Sequence, residues 1–167
     1  MSRSNSFLDH IEGRGTVSKK LIDNRTGEIV KEFTDHNLIV KTGRKTLIEM
    51  LAGDKTTWVT KMAVGSGGTA DHTTNAFNPI DPKDGDEALE EEEHMVELMS
   101  TTTDFKGTNP KVTFVGLFDC DDVDSLVNEC GLFFKDGTTM FARHTFDTVS
   151  LRNTSNFSLE ISWTIEF

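Results

Sequence analysis

Cysteine, positive charge and long apolar runs are all scarce in this 167-residue sequence. Its two cysteines, Cys120 and Cys130, are too few for a disulfide framework or a cysteine-rich zinc site. No apolar run has the length of a membrane span, and none follows the polar residues 1–6 as a signal peptide requires. Lys and Arg total 17 against 28 Asp and Glu, which gives a formal net charge of -11. Because so acidic a chain repels phosphate backbones, we expect no direct nucleic-acid contact. Because no apolar run is long enough, we also expect no membrane partner.

The length of the chain suits one domain with a sizeable core. Residues 1–14 are mostly polar, with one apolar pair, Phe7 and Leu8, and this composition predicts a flexible amino-terminal arm. An arm that orders against a neighbouring subunit is the alternative interpretation. Residues 15–167 are then expected to form a single β-rich domain.

An acidic stretch interrupts that domain. Residues 69–93 have no clear period, and eight of the thirteen residues 81–93 are acidic. Such a segment repels itself, so we expect a long surface loop at about residues 69–93. Calcium binding is the alternative, with these oxygen ligands: Asp81, Asp84, Asp86, Glu87 and Glu90. The spacing of an EF-hand is absent, so we assign no metal ligand.

Strand patterns dominate the rest of the chain. Residues 156–167 alternate without a fault between apolar and polar side chains, which predicts a strand with one buried and one wet face. Turn residues at 24–27, and the pair Asp136 and Gly137, predict two hairpins. Further strands are predicted over residues 17–22, 28–33, 37–40, 58–65, 95–99, 111–119, 131–134 and 139–149.

One helix is predicted over residues 42–52, with Thr42 as its cap and Gly53 in the left-handed position after its end. Its expected packing face consists of three apolar residues: Leu47, Ile48 and Leu51. Many strands, turn residues and one short helix together predict a mainly β protein. We expect an antiparallel β-sandwich or barrel with one short α-helix.

The glycine-rich residues 65–68 resemble a phosphate loop only in composition. A Walker-type loop needs Lys and then Ser or Thr after its last glycine, whereas Thr69 and Ala70 follow here. The spacing of a dinucleotide-binding fingerprint also fails, and no βαβ unit surrounds the segment. We therefore predict a glycine turn at the end of a strand and no cofactor.

Polar residues with catalytic potential are scattered. The histidines are His10, His36, His72, His94 and His144, and no two of them have metal-ligand spacing. Cys130 and His144 can meet across adjacent strands, but the sequence shows no orienting group and no depressed thiol pKa. The aspartates around Cys120 are expected to raise the pKa of its thiol. We expect Arg143 to pair with a carboxylate, at an interface or on a sheet face. No residue is assigned as catalytic, cofactor-binding or metal-ligating, and we expect no enzymatic activity.

Several segments, taken in order, resemble small structural proteins of tailed-bacteriophage virions. The segments are Asn37-Leu38-Ile39-Val40-x-x-Gly43-Arg44, Lys61-Met62-Ala63-Val64-Gly65-Ser66-Gly67, Asn128-Glu129-Cys130-Gly131-Leu132-Phe133, Met140-Phe141-Ala142-Arg143-His144-Thr145-Phe146 and Ser158-Leu159-Glu160-Ile161-Ser162-Trp163-Thr164-Ile165. The resemblance covers roughly residues 28–167. The "AVG-x-G" and "E-x-GLF" pieces are also similar to the amino-terminal domain of phage tail-collar fibre proteins. No fibre shaft follows in this sequence, which favours a compact accessory protein.

The resemblance implies a non-enzymatic virion structural protein. We expect a decoration or cement protein on the outside of the phage head, and the alternative is a tail, collar or baseplate component. The implied partners are the major capsid protein and neighbouring copies, in a weakly held homotrimer or other cyclic oligomer. Two alternatives come from other classes: a particle-borne glycan hydrolase with a carboxylate pair, and a carbohydrate-binding sandwich. The second needs exposed aromatic rings, whereas Trp58 and Trp163 both fall on expected core faces.

Overall fold

The computed structural model describes residues 14–70 and 77–167. Within them the chain is mainly β, a sandwich-like pair of antiparallel five-stranded sheets, which confirms the predicted fold class. The elements are β1 Arg14–Asp23, β2 Ile29–His36, β3 Leu38–Ile39, α1 Lys41–Leu51, β4 Val59–Gly65, β5 Thr69–Ala70, β6 Phe77–Asn78, β7 Glu92–Glu97, β8 Ser100–Asp104, β9 Lys111–Asp119, α2 Cys120–Val123, β10 Ser125–Phe134, β11 Met140–Leu151 and β12 Phe157–Glu166. No helix in these residues is long and apolar enough to cross a membrane. The arm predicted over residues 1–14 lies outside the described residues, except Arg14, which begins β1.

The first sheet has the strand order β2-β1-β12-β9-β8, with β12 at its centre. Four alternate side chains of β12 are buried in the core: Leu159, Ile161, Trp163 and Ile165. β1 pairs with β12 and matches its alternation, so that Val17 lies opposite Trp163 and is also buried. The regular alternation of apolar and polar residues therefore predicted the buried face of β12 correctly.

The second sheet has the order β3-β11-β10-β4-β7. β10 is buried continuously from Val127 to Phe134, because both of its faces are covered. One face meets the first sheet, and a smaller cluster covers the other with these residues: Val40, Ala63, Leu89, Phe133 and Met140. Leu89 belongs to the acidic stretch, so that stretch packs on the outer face of this sheet.

The acidic loop is shorter than the expected residues 69–93. β5 pairs with β6 at its start, and β7 begins at Glu92, so the irregular part of the described chain is residues 79–91. Burial of Leu89 also corrects the expectation that this stretch is only a solvated surface loop. Three of its carboxylates contact arginine side chains, as described below.

Helix α1 lies within one residue of its predicted bounds, but its predicted packing face is correct only at Leu47, which is partly buried against the core. Ile48 is 67 % exposed and Leu51 90 % exposed, whereas Gly43 and Thr46 are the buried residues. A Cβ at Gly43 would lie 2.2 Å from the carbonyl oxygen of Phe141, so the helix approaches β11 through a residue without a side chain. The Thr42 hydroxyl donates to the Met140 carbonyl oxygen at 3.0 Å instead of capping the helix, and Val40 is the capping position.

Turn chemistry was predicted more reliably. Gly27, Gly53 and Gly137 all have positive φ, at 72°, 79° and 71°, as their turn and helix-end positions require. Strand β9 has its predicted bounds. Strand β8 was missed because its sequence, Ser-Thr-Thr-Thr-Asp, is exposed on both faces and offers no apolar alternation.

Candidate functional site

Strand β2 forms an open edge of the first sheet. β1 covers one side of β2, and no strand among the described residues pairs with its other side. Seven of its eight residues are exposed, and Ile29 and Val30 are 52 % and 55 % exposed. A long edge strand with exposed apolar residues is a template for pairing with another chain.

An apolar groove of 540 Å³ opens at the end of the sandwich where β12 ends and β4 begins. Its walls come from both sheets and from α1, and they consist of Leu47, Met50, Trp58, Val59, Thr60, Glu97, Leu98, Thr101, Val112, Phe114, Phe134, Phe141, Ile165 and Phe167. The Thr60 hydroxyl is buried in this wall with no hydrogen-bond partner among the described residues. The groove is large enough for a small molecule or for several side chains.

Trp58 lies at this groove and not on a core face. It is 51 % exposed, so the prediction that it packs in the core is wrong, whereas Trp163 is fully buried. The ammonium group of Lys135 lies 4.7 Å from the centre of the Trp58 ring. That contact occupies one face of the indole.

Arg143 is the centre of a buried charge cluster. Its Nε and Nη2 donate to Oε2 of Glu129 at 3.0 and 2.8 Å, and Nη1 donates to Oδ2 of Asp86 at 2.6 Å. Nη2 also donates to the carbonyl oxygen of Ile80 at 3.3 Å and lies 3.8 Å from Glu90. The arginine therefore joins β10 and β11 to residues 79–91, and the predicted pairing with a carboxylate is confirmed.

Electrostatics in this cluster favour the charged arginine. Burial alone would lower the pKa of Arg143, but the hydrogen bonds that Arg143 donates to Asp86 and Glu129 outweigh burial and raise it. Glu129 also accepts the backbone N–H of Glu91 at 3.0 Å. The cluster thus holds the acidic stretch against the sheet through charge-assisted hydrogen bonds.

Three of the five acidic residues considered as calcium ligands instead contact arginines. Asp86 and Glu90 contact Arg143, and Asp84 accepts a hydrogen bond from Arg44 at 2.5 Å. These carboxylates are spread between two arginines and do not converge on one point. The contacts explain how residues 79–91 remain folded despite their charge.

A second buried cluster joins Lys19 and His144 inside the sandwich. Lys19 is fully buried, and its Nζ lies 2.6 Å from Nε2 of His144 and 3.4 Å from Oδ2 of Asp35. The rings of Phe33 and Phe146 lie 4.7 and 5.2 Å from the same Nζ. Lys19 occupies an inward position between Val17 and Leu21, which is the sequence signal that we missed.

Burial lowers the pKa of His144 to about 4, and it also lowers the pKa of Lys19. A neutral His144 donates from Nδ1 to the carbonyl oxygen of His36 at 3.0 Å, so that Nε2 is free to accept from the Lys19 ammonium. Protonation of His144 would place two cations in contact. The cluster is therefore stable only while this imidazole remains neutral.

Cys130 lies directly opposite His144 on the neighbouring strand, as the sequence predicted. Burial raises the pKa of the Cys130 thiol to about 12, whereas a thiolate nucleophile needs a lowered value. The pKa of the Cys120 thiol is raised as well, first by burial and then by the charges of Asp119 and Asp121. Both thiols are therefore protonated at neutral pH.

Asp119, Cys120 and Asp121 bring three potential ligand atoms within 4.8 Å of one another. The Asp119 carboxylate already accepts the backbone N–H of Asp121 at 3.0 Å and the Ser158 hydroxyl at 2.8 Å. The bond from the Asp121 N–H caps the short helix α2, and both bonds hold the pKa of Asp119 below its usual value. Capping accounts for this arrangement without a metal ion.

The other residues considered from the sequence lie apart. His36 is in β2, where its carbonyl oxygen accepts from His144, and His94 is in β7. His10 and His72 lie outside the described residues. The glycine turn after β4 is confirmed, since Gly68 has a φ of 120° and the Asn128 amide donates to the Gly67 carbonyl oxygen at 2.7 Å.

No family model, curated protein or solved structure matches this chain. The contacts described above and the motif resemblance are therefore the basis for a functional proposal.

Proposed function

We propose that this chain is a non-enzymatic structural subunit of a tailed-phage virion and that it decorates the outside of the capsid. The observation that carries the proposal is the open edge of β2, which exposes Ile29 and Val30 along a strand of eight residues. Such an edge supports assembly, because a neighbouring chain can add a strand to it through backbone hydrogen bonds. The virion as the place of assembly comes from the motif resemblance.

The positions of the resembling motifs support a structural role. The segment with Ala63 and Val64 lies in β4, and the segment with Leu132 and Phe133 lies in the neighbouring β10. All four residues are buried. The motifs therefore specify the packing of the second sheet, which is what related scaffolds would share without a common active site.

The proposed partners are the major capsid protein and neighbouring copies of this chain. Capsid sites are rotationally symmetric, so copies bound around one axis form a cyclic homo-oligomer. The alternative place is the tail, collar or baseplate, which the similarity of the "AVG-x-G" and "E-x-GLF" segments to a collar-fibre domain favours. The chain would use the β2 edge in either place, and the two places differ in the number of copies per particle.

Quantitative mass spectrometry of purified particles tests the proposal. A decoration protein gives about one copy per major capsid protein, since it repeats with the capsid lattice. A few copies per hundred would instead support the tail, collar or baseplate. Absence of the chain from particles that retain full infectivity would contradict both places.

A further inference from the structure

The apolar groove at the end of the sandwich offers room that the described residues do not fill. Its volume is 540 Å³, which lies within the range of small-molecule sites. Its deepest walls are aromatic, with Phe114, Phe134 and Phe141 from three different strands. An apolar concavity of this size on a strongly acidic surface indicates a place where apolar side chains dock.

The chain enters the described structure beside this groove. Arg14, the first residue of β1, pairs with Glu166 of β12. Ile165 and Phe167, which flank Glu166, both line the groove. Because paired strands lie ~4.8 Å apart, the residues that precede Arg14 start about one strand away from the groove wall.

Those thirteen residues contain the side chains that such a groove would accept. Phe7, Leu8 and Ile11 are large apolar residues among mostly polar neighbours, and Gly13 can turn the chain in either direction. Ile11 lies three residues before Arg14 and Phe7 lies seven before it. Extended chain covers at most ~10 Å and ~25 Å over these separations, which is enough to reach the groove and to run along it.

We propose that residues 7–11 of the same chain dock in this groove, with the Phe7, Leu8 and Ile11 side chains against its apolar walls. A second copy could offer the same side chains. The same chain is favoured because a short linker holds its segment at an effective concentration in the millimolar range. This inference concerns the isolated chain, and it holds or fails independently of the proposed place in a virion.

Tryptophan fluorescence reports on the groove directly. Trp58 lies in the groove wall and Trp163 is fully buried, so acrylamide quenching in the folded chain reports mainly on Trp58. In the double variant Phe7→Ser/Leu8→Ser we expect the quenching constant to rise about twofold, because the indole loses its apolar cover. Binding of the dye 8-anilinonaphthalene-1-sulfonate should rise as well, since the dye enters vacant apolar grooves.

A matched control is Arg3→Ser/Ser6→Ala, which changes the same segment without removing an apolar side chain and should leave both signals unchanged. Circular dichroism of every variant shows whether the sandwich is intact. Equal quenching and equal dye binding in the parent and the Phe7→Ser/Leu8→Ser variant would overturn the proposal.

A dilution series separates the same chain from a second copy. With the same chain as occupant, Trp58 protection stays constant on dilution and light scattering reports a monomer. Protection that disappears on dilution, together with loss of a dimer, would also overturn the proposal and assign the segment to the groove of a neighbouring copy.

Discussion

At the scale of single residues, the buried Lys19–His144 pair makes the stability of the fold depend on pH. Folding lowers the pKa of His144 from 6.5 to about 4, so between these values the unfolded chain binds more protons than the folded chain. The contribution of the neutral His144 to the free energy of unfolding is therefore fully present above pH 6.5, and it falls as the pH drops towards 4. The loss from this group amounts to at most about 3 kcal/mol across that window.

Urea unfolding of the parent and of His144→Gln at several pH values between 4 and 7 measures this contribution. A neutral glutamine still offers an acceptor to Lys19, so the variant should lose less stability on acidification than the parent. His94→Gln is the control, because His94 lies on β7 outside the cluster. Parallel pH profiles for the parent and His144→Gln would show that this imidazole is not responsible.

The second prediction at this scale concerns the Arg143 cluster. Arg143→Met leaves the Glu129 carboxylate buried without its cation, and we expect a loss of about 3 to 5 kcal/mol in the free energy of unfolding. Arg143→Met/Glu129→Leu removes both charges and should cost less than the single variant. Lys45→Met breaks an exposed pair with Glu49 and should change stability by about 0.5 kcal/mol or less. Equal losses in the single and double variants would contradict this reasoning.

At the scale of secondary-structure elements, β12 is the strand on which the first sheet depends. Trp163 is fully buried. When the Asn37 amide is oriented with its oxygen towards the indole, the Trp163 Nε1 donates to that oxygen at 3.1 Å. Trp163→Ala should cost about 3 to 5 kcal/mol in thermal or urea unfolding, because it opens a large cavity. Trp58→Ala is the matched control and should cost far less, since its ring is half exposed. A loss below about 1 kcal/mol for Trp163→Ala would mean that β12 faces the other way.

The sequence predicted those elements whose stability depends on a regular pattern. The strict alternation in β12 specifies its buried face, and the glycines in the turns specify positive φ. Helix α1 was predicted only in part, because Leu47 does pack on the core whereas the helix approaches β11 through Gly43 and leaves Ile48 and Leu51 exposed. Lys19 shows the same limit: a lysine at an inward position is accepted only because His144, a residue 125 positions later, supplies its partner.

At the scale of the whole molecule, the proposed interface lies close to part of the acidic segment. The arginines hold residues 79–91 against the second sheet, and Pro79, Asp81 and Pro82 line a cleft together with residues of β2. A chain that pairs with the open β2 edge therefore meets negative charge beside it. Copies of a chain of net charge -11 also repel one another at long range.

The last prediction tests that edge in the intact particle. Val30→Lys places a charge on the open edge, where lysine discourages strand pairing. If a partner buries this valine, its loss costs about 1.5 to 3 kcal/mol, which corresponds to roughly 10- to 100-fold weaker binding to particles. Ile48→Lys is the matched control, because Ile48 is equally exposed but lies on helix α1. Rebinding of each purified variant to particles that lack the chain, followed by mass spectrometry, measures occupancy. Equal occupancy for both variants would show that β2 is not the interface, because a new charge in a paired edge strand must weaken the binding of the chain to the particle.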